Sequence, residues 1–134
     1  MIDFHFVNTK KIALEKSKKW LKKVVKSENK KLQNLVFIFC DDNYLLKKNI
    51  KFLKHKTLTD VITFDYCNGN QINGDVFISV ERVKENCQKF NTTFLNELDR
   101  VMVHGLLHLL GYKDQTKSEA KIMRQKEDFY LDNK

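Results

Sequence analysis

The run Val101-Met-Val-His104-Gly-Leu-Leu-His108-Leu-Leu constrains this chain more than any other segment. It is apolar apart from two histidines and a glycine, and an unpartnered imidazole is costly to bury. A fold that accepts this helix must therefore give both rings a partner. Side chains four residues apart lie one turn above the other on a single helix face, so both ring nitrogens can reach one metal ion. Gly111 follows and can take the positive φ that ends a helix and turns the chain back. Asp114, three residues later, is close enough to add a third ligand from the returning loop. Two nitrogens, one oxygen and an open fourth position describe a catalytic zinc site. A bare His-x-x-x-His is common by chance, and single helical histidines are more often structural. The apolar setting, the use of two of only four histidines, the glycine and the acid together favour a metal site.

The string His104-Gly-Leu-Leu-His108-Leu-Leu-Gly-Tyr-Lys-Asp114 resembles the signature of the YbeY family, zinc-dependent endoribonucleases of bacterial ribosomal RNA maturation. Upstream, Thr59-Asp-Val-Ile-Thr-Phe64 and Gly74-Asp-Val-Phe-Ile-Ser79 resemble the family's paired strand motifs. Asn96-Glu-Leu-Asp-Arg-Val-Met-Val is similar to its lead-in to the first histidine. The matches run in order from about Asn49 to the end of the last helix. The N-terminal third matches only in length and alternation of elements. The resemblance implies one zinc ion per chain on His104, His108 and Asp114, and single-stranded RNA as substrate. It further implies a role in small-subunit ribosomal RNA 3′-end processing and ribosome quality control, with ribosomal RNA or a ribosomal subunit as partner.

Two positions depart from the family pattern. The usual third histidine is Asp114 here, and carboxylates are ordinary zinc ligands. The family's arginine before the Thr-Asp-Val motif, thought to serve RNA cleavage, is replaced by Leu53. Lys54, His55 and Lys56 stand beside it as candidates for the missing charge. Lys54 and Lys56 are candidate RNA contacts. His55 is a candidate auxiliary acid, base or phosphate contact, because imidazole exchanges protons near neutral pH; an ordinary loop histidine is the competing reading.

A chain of 134 residues, 42% hydrophobic and 11% aromatic, suits one globular domain spanning residues 1–134. Its start lacks a signal-peptide pattern and no run is long enough to span a membrane, so a cytoplasmic protein without a membrane partner is expected. Cys40, Cys67 and Cys87 are odd in number and widely spaced, which points to free thiols. The net charge of +8 fits a polyanionic partner such as RNA. The lysine-rich, proline-free composition also matches an AT-rich genome, so charge alone does not select RNA.

Hydrophobic periodicity predicts strands at 2–7, 35–40, 61–66 and 75–80, and helices at 10–26, 41–49, 80–90, 93–110 and 117–131. The 35–40 run is uninterruptedly apolar, as for a strand covered on both faces. The turn formers of 68–74 predict an antiparallel pair. Lys16, Lys18, Lys19, Lys22, Lys23 and Lys26 read as a solvated helix surface. The expected architecture is a compact α+β domain, a mixed four-stranded sheet carrying helices, with the metal site on a C-terminal helix and its following loop. The Val76-containing strand is a candidate wall of the metal cleft.

Zinc in such a site lowers the pKa of its water to give hydroxide and polarises a phosphoryl oxygen, while nearby lysines offset transition-state charge. A metallopeptidase is the rival enzyme, but those with this helix place a glutamate directly after the first histidine. Here that residue is Gly105. A ribosome-assembly or RNA-binding factor whose metal only stabilises the fold is the non-enzymatic alternative, kept open by Leu53. Oligomeric state is not legible.

Overall fold

The apolar run at 35–40 forms the second half of β2 (Lys31–Cys40). Leu35, Phe37 and Phe39 enter the larger hydrophobic cluster, whereas Ile38 and Cys40 belong to a smaller one. That alternation is what a strand covered on both faces produces. In this computed structural model, which describes residues 1–53 and 60–134 with only the backbone of Phe52 and Leu53, β2 is the centre of the sheet. β1 (Ile2–Phe6) and β4 (Gln71–Ser79) flank it in parallel, and β3 (Val61–Asp65) pairs antiparallel with β4. The order β1-β2-β4-β3 is the expected mixed four-stranded sheet.

The helices are α1 (Glu15–Ser27), α2 (Asp42–Lys48), α3 (Val80–Lys89), α4 (Phe94–Leu109) and α5 (Lys117–Asp132). Side chains of α1, α4 and α5 fill the larger cluster, and Leu45 of α2 fills the smaller one. Most starts follow capping chemistry. Asp41, Ser79 and Thr93 each accept a hydrogen bond from the third amide beyond, and Thr116 with Glu119 forms a reciprocal capping box. Among the described residues no helix is long and apolar enough to cross a membrane.

Three element starts differ from the periodicity by four residues or more. α1 starts at Glu15, not Lys10, because Leu14 stands at its N-cap without a side-chain bond, and Ile12 and Leu14 pack into the core instead. β2 and β4 each begin four residues early. Their polar beginnings pair through the backbone, Lys31 opposite Gln71, and Asn73 Nδ2 donates to Gln33 Oε1 at 2.7 Å. The β3–β4 turn shrinks accordingly to Gly69-Asn70, bridged by Asn68 and Gln71, with Gly69 at φ +59°. A π-helical turn, Asn49–Leu53, continues from α2.

α4 lies on β4 without room for two side chains. A Cβ added at Gly105 would stand 2.7 Å from Val76 Cγ1, and one at Gly74 would stand 2.8 Å from Leu109 Cδ1. Glu28, at the C-cap of α1, ties that helix to the chain beyond α4. It accepts hydrogen bonds from Tyr112 Oη at 2.6 Å and from Tyr130 Oη, with Lys126 Nζ at 3.4 Å. Burial alone would raise its pKa, but these three donors outweigh burial and lower it.

Two outcomes are expected. Gly105→Ala should lower stability by about 1–3 kcal/mol through overpacking, read as a lower urea midpoint; an unchanged midpoint would show that α4 can lift from β4. Glu28, with a folded pKa below its unfolded one, stabilises the fold above the unfolded value and loses that contribution as pH falls through the folded value. The stability gap between wild type and Glu28→Gln should therefore narrow with acidification across the carboxylate range. A pH-independent gap would contradict the assignment.

Candidate metal centre

The histidine helix ends as the glycine requires. Gly111 sits at φ +105°, its N–H donates to His108 O at 3.1 Å, and the Tyr112 N–H donates to Leu107 O at 3.0 Å. This is the Schellman arrangement, and it turns the chain back across the helix end. Asp114 thereby returns to the histidines. His104 Nε2 and His108 Nε2 are 3.1 Å apart, and Asp114 Oδ2 is 3.3 Å from each. Three ligand atoms on a tetrahedral ion with bonds near 2.0–2.1 Å would be about 3.3–3.4 Å apart. The triangle fits a single small divalent ion, and these residues form a cluster that could hold one.

A carboxylate that the sequence reading did not single out completes the arrangement. His104 Nδ1 lies 2.7 Å from Glu127 Oε2 on α5. With Nδ1–H donating to this acid, the Nε2 lone pair faces Asp114, the tautomer a metal ligand needs. Burial disfavours the charged form of His104, yet the Glu127 hydrogen bond and the charges of Glu127, Asp114 and Asp60 prevail and raise its pKa. Glu127 is itself only 4% exposed. Arg100 Nη1 pairs with its Oε1 at 3.0 Å, and Arg100 Nη2 reaches Asp128 at 2.9 Å. A buried carboxylate persists when it is paired and hydrogen-bonded in this way. Its sequence signal is an acid within the apolar stripe Met123, Glu127, Tyr130, all buried on α5.

The cluster opens into a cleft of about 600 Å³ lined by Asp60, Val61, Ile62, Thr63, Asp65 and Gln115 besides the three ligand candidates. The wall is thus β3. Val76 is fully buried beneath Gly105, so its strand supports the helix instead of walling the cleft. Burial raises the pKa of Asp60 at the cleft's edge. A larger hollow of about 750 Å³ lies between α1 and the start of α4, away from the histidines and lined by residues such as Trp20 and Leu95.

Lys54, His55 and Lys56 lie outside the described residues, as does the side chain of Leu53. The cysteines are free, and none joins the cluster. Burial and the neighbouring Asp41 and Asp42 push the Cys40 thiol up to about 12, leaving it unreactive.

Comparison with known proteins gives a consistent result. Residues 4–134 match the family model described as endoribonuclease YbeY. An endoribonuclease YbeY of Flavobacterium johnsoniae is 53% identical over 109 residues, covering 81% of this chain and 78% of its own. One from Bacteroides fragilis is 44% identical over the same shares of the two chains. The solution structure of a Thermotoga maritima protein, 29% identical, superposes with a TM-score of 0.70 over 96% of this chain and 86% of its own.

Purified protein should carry about one divalent metal ion per chain, and the His104→Ala/His108→Ala double variant should carry none by elemental analysis. Full metal content in that variant would overturn the site. Glu127→Gln should weaken metal binding about 10–100-fold in a chelator competition; unchanged affinity would remove Glu127 from the arrangement.

Proposed function

Because this chain belongs to the endoribonuclease YbeY family, we propose that it is a zinc-dependent endoribonuclease that cuts single-stranded RNA during ribosomal RNA maturation. The observation that carries the zinc reading is the ligand triangle of His104, His108 and Asp114, with Glu127 Oε2 2.7 Å from His104 Nδ1. Zinc held there supplies Lewis acidity and an activated water.

The chain's own residues prepare that chemistry. His104 and His108 present ring nitrogens from one rigid helix face, and the Gly111 turn sets Asp114 against them. Glu127, 2.7 Å from His104 Nδ1, is placed to accept a proton held there, which would leave Nε2 free for the metal. Val61, Ile62, Thr63 and Asp65 of β3 line the cleft beside the ligand triangle, where the RNA strand is proposed to lie. In this proposal Lys54 and Lys56 contact RNA phosphates and His55 serves as an auxiliary acid–base group. Their support is their position in the sequence, three residues or more ahead of Asp60, which lines the cleft. Small-subunit 3′-end processing, ribosome quality control and a cytoplasmic setting belong to the same proposal, supported by family membership and the +8 charge.

The peptidase reading loses ground for a packing reason. A glutamate after the first histidine would have to occupy Gly105, where even a Cβ meets Val76 at 2.7 Å. The general base of those proteases has no room on this helix.

Nuclease-free protein should cleave unstructured RNA faster than a stable duplex, lose activity to a chelator and regain it with zinc. RNA affinity should fall as salt rises, because phosphate contacts release counterions. Cleavage of casein but not RNA would revive the peptidase. Metal-dependent stability and RNA binding without cleavage would make the chain an assembly factor.

A further inference from the structure

A second hollow, of about 380 Å³, adjoins the metal cleft and shares Asp60, Val61, His104 and Asp114 with it. Its remaining lining includes Phe90 at the end of α3 and Arg124 on α5. We propose that this hollow is a nucleotide subsite, in which the base flanking the scissile phosphate stacks on Phe90 and its phosphate is held by Arg124. The inference rests on the RNA-cleavage reading above and specifies where the substrate strand lies.

Phe90 is 54% exposed, a large apolar ring that folding leaves in water. Its backbone is nevertheless well fixed. Asn91 takes φ +57°, its N–H donates to Gln88 O at 3.3 Å, and the Thr92 N–H donates to Cys87 O at 2.9 Å. This second Schellman turn offers the ring from a rigid helix end. Every nucleobase has a π face that can stack on such a ring, so recognition there tolerates sequence. Lys89 Nζ, 5.8 Å from the ring centroid, adds positive charge beside it.

Arg124 differs from the chain's other arginines. Arg82 is engaged by Asp42 at 3.1 Å and Glu85 at 2.8 Å. Arg100 is enclosed by Glu127 and Asp128. The Arg124 side chain is 59% exposed, and its contact with Glu127 Oε1 is 3.6 Å, on an oxygen that Arg100 already holds at 3.0 Å. Its planar fork retains donors for a bidentate phosphate contact. Of the carboxylates lining the hollow, Glu97 and Glu127 are buried and pair with Arg100, Asp114 lies 3.3 Å from both histidines, and Asp60 stands at the edge shared with the metal cleft. Among the described residues of the lining, Arg124 is the arginine with an exposed side chain.

The test uses zinc-loaded protein and a short single-stranded RNA containing 2-aminopurine, whose fluorescence falls when it stacks. Phe90→Ala should abolish the quench on binding and raise KM at least about fivefold, with kcat little changed, and Phe90→Trp should restore both. Arg124→Ala should raise KM and flatten the slope of log affinity against log salt by about 0.7, one phosphate contact on a single strand. Arg124→Lys should recover the slope. Zinc content and thermal midpoint should stay at wild-type values, which separates a substrate role from a structural one. Wild-type quench, KM and salt slope in both alanine variants would overturn the subsite. The quench reads the subsite even if the chain binds RNA without cutting it, so failure of the subsite and failure of the cleavage reading are distinguishable.

Discussion

The contact between α4 and β4 is the constraint on which the rest of the structure depends. Gly105 against Val76 and Gly74 against Leu109 bring helix backbone and sheet closer than side chains on both would allow. The approach buries Leu98, Met102, Leu106 and Leu107 completely, and removing side chains of this size from water is the dominant favourable term in folding. It also fixes the helix's rotation. With one face pressed on β4, His104 and His108 come out on the flank beside β3, where a cleft can form. The glycine that excludes a catalytic glutamate after His104 is thus the residue that sets the helix in place.

Around this contact a chain of polar groups runs from the surface through buried Glu127. Asp114 meets His104, His104 meets Glu127, Glu127 meets Arg100, and Arg100 meets Asp128 and, at 4.0 Å, Glu97. Each buried charge has an opposite or hydrogen-bonding neighbour, and the described residues leave no buried side-chain nitrogen or oxygen unsatisfied. A second anchor acts from the far side. Glu28 holds Tyr112, two residues before Asp114, to the end of α1 and to α5. The loop that returns the acid is therefore held at its glycine turn and at its tyrosine. An anionic third ligand would also cancel one of the two charges of a bound divalent ion, leaving it a weaker electrophile than three neutral imidazoles would.

Much of this was legible from local chemistry. The spacing of His104, His108, Gly111 and Asp114 carries its geometry in helix periodicity and one positive-φ residue. Asp41, Ser79, Thr93 and Thr116 mark helix starts through a side chain that can hold a free amide. What escaped depends on pairing across distance. Lys31 and Gln71 extend their strands because each has the other as a partner, although neither looks like a strand residue. Glu127 becomes a histidine partner only when α5 docks 23 residues beyond His104. Val76 was read toward the cleft, but which strand walls a cleft depends on sheet order, and β3 occupies the edge.

That sheet order carries a consequence for solubility. Both edge strands, β1 and β3, are only five residues long, while the long strands β2 and β4 are interior. Short edges give another chain little length on which to add a strand. β3 also begins just after Asp60 and ends in Asp65, and β1 carries Asp3. Charges so placed oppose edge-to-edge association of the kind that seeds aggregates. The sheet order that sets β3 beside the cleft thus also keeps the two edges short and charged against self-assembly.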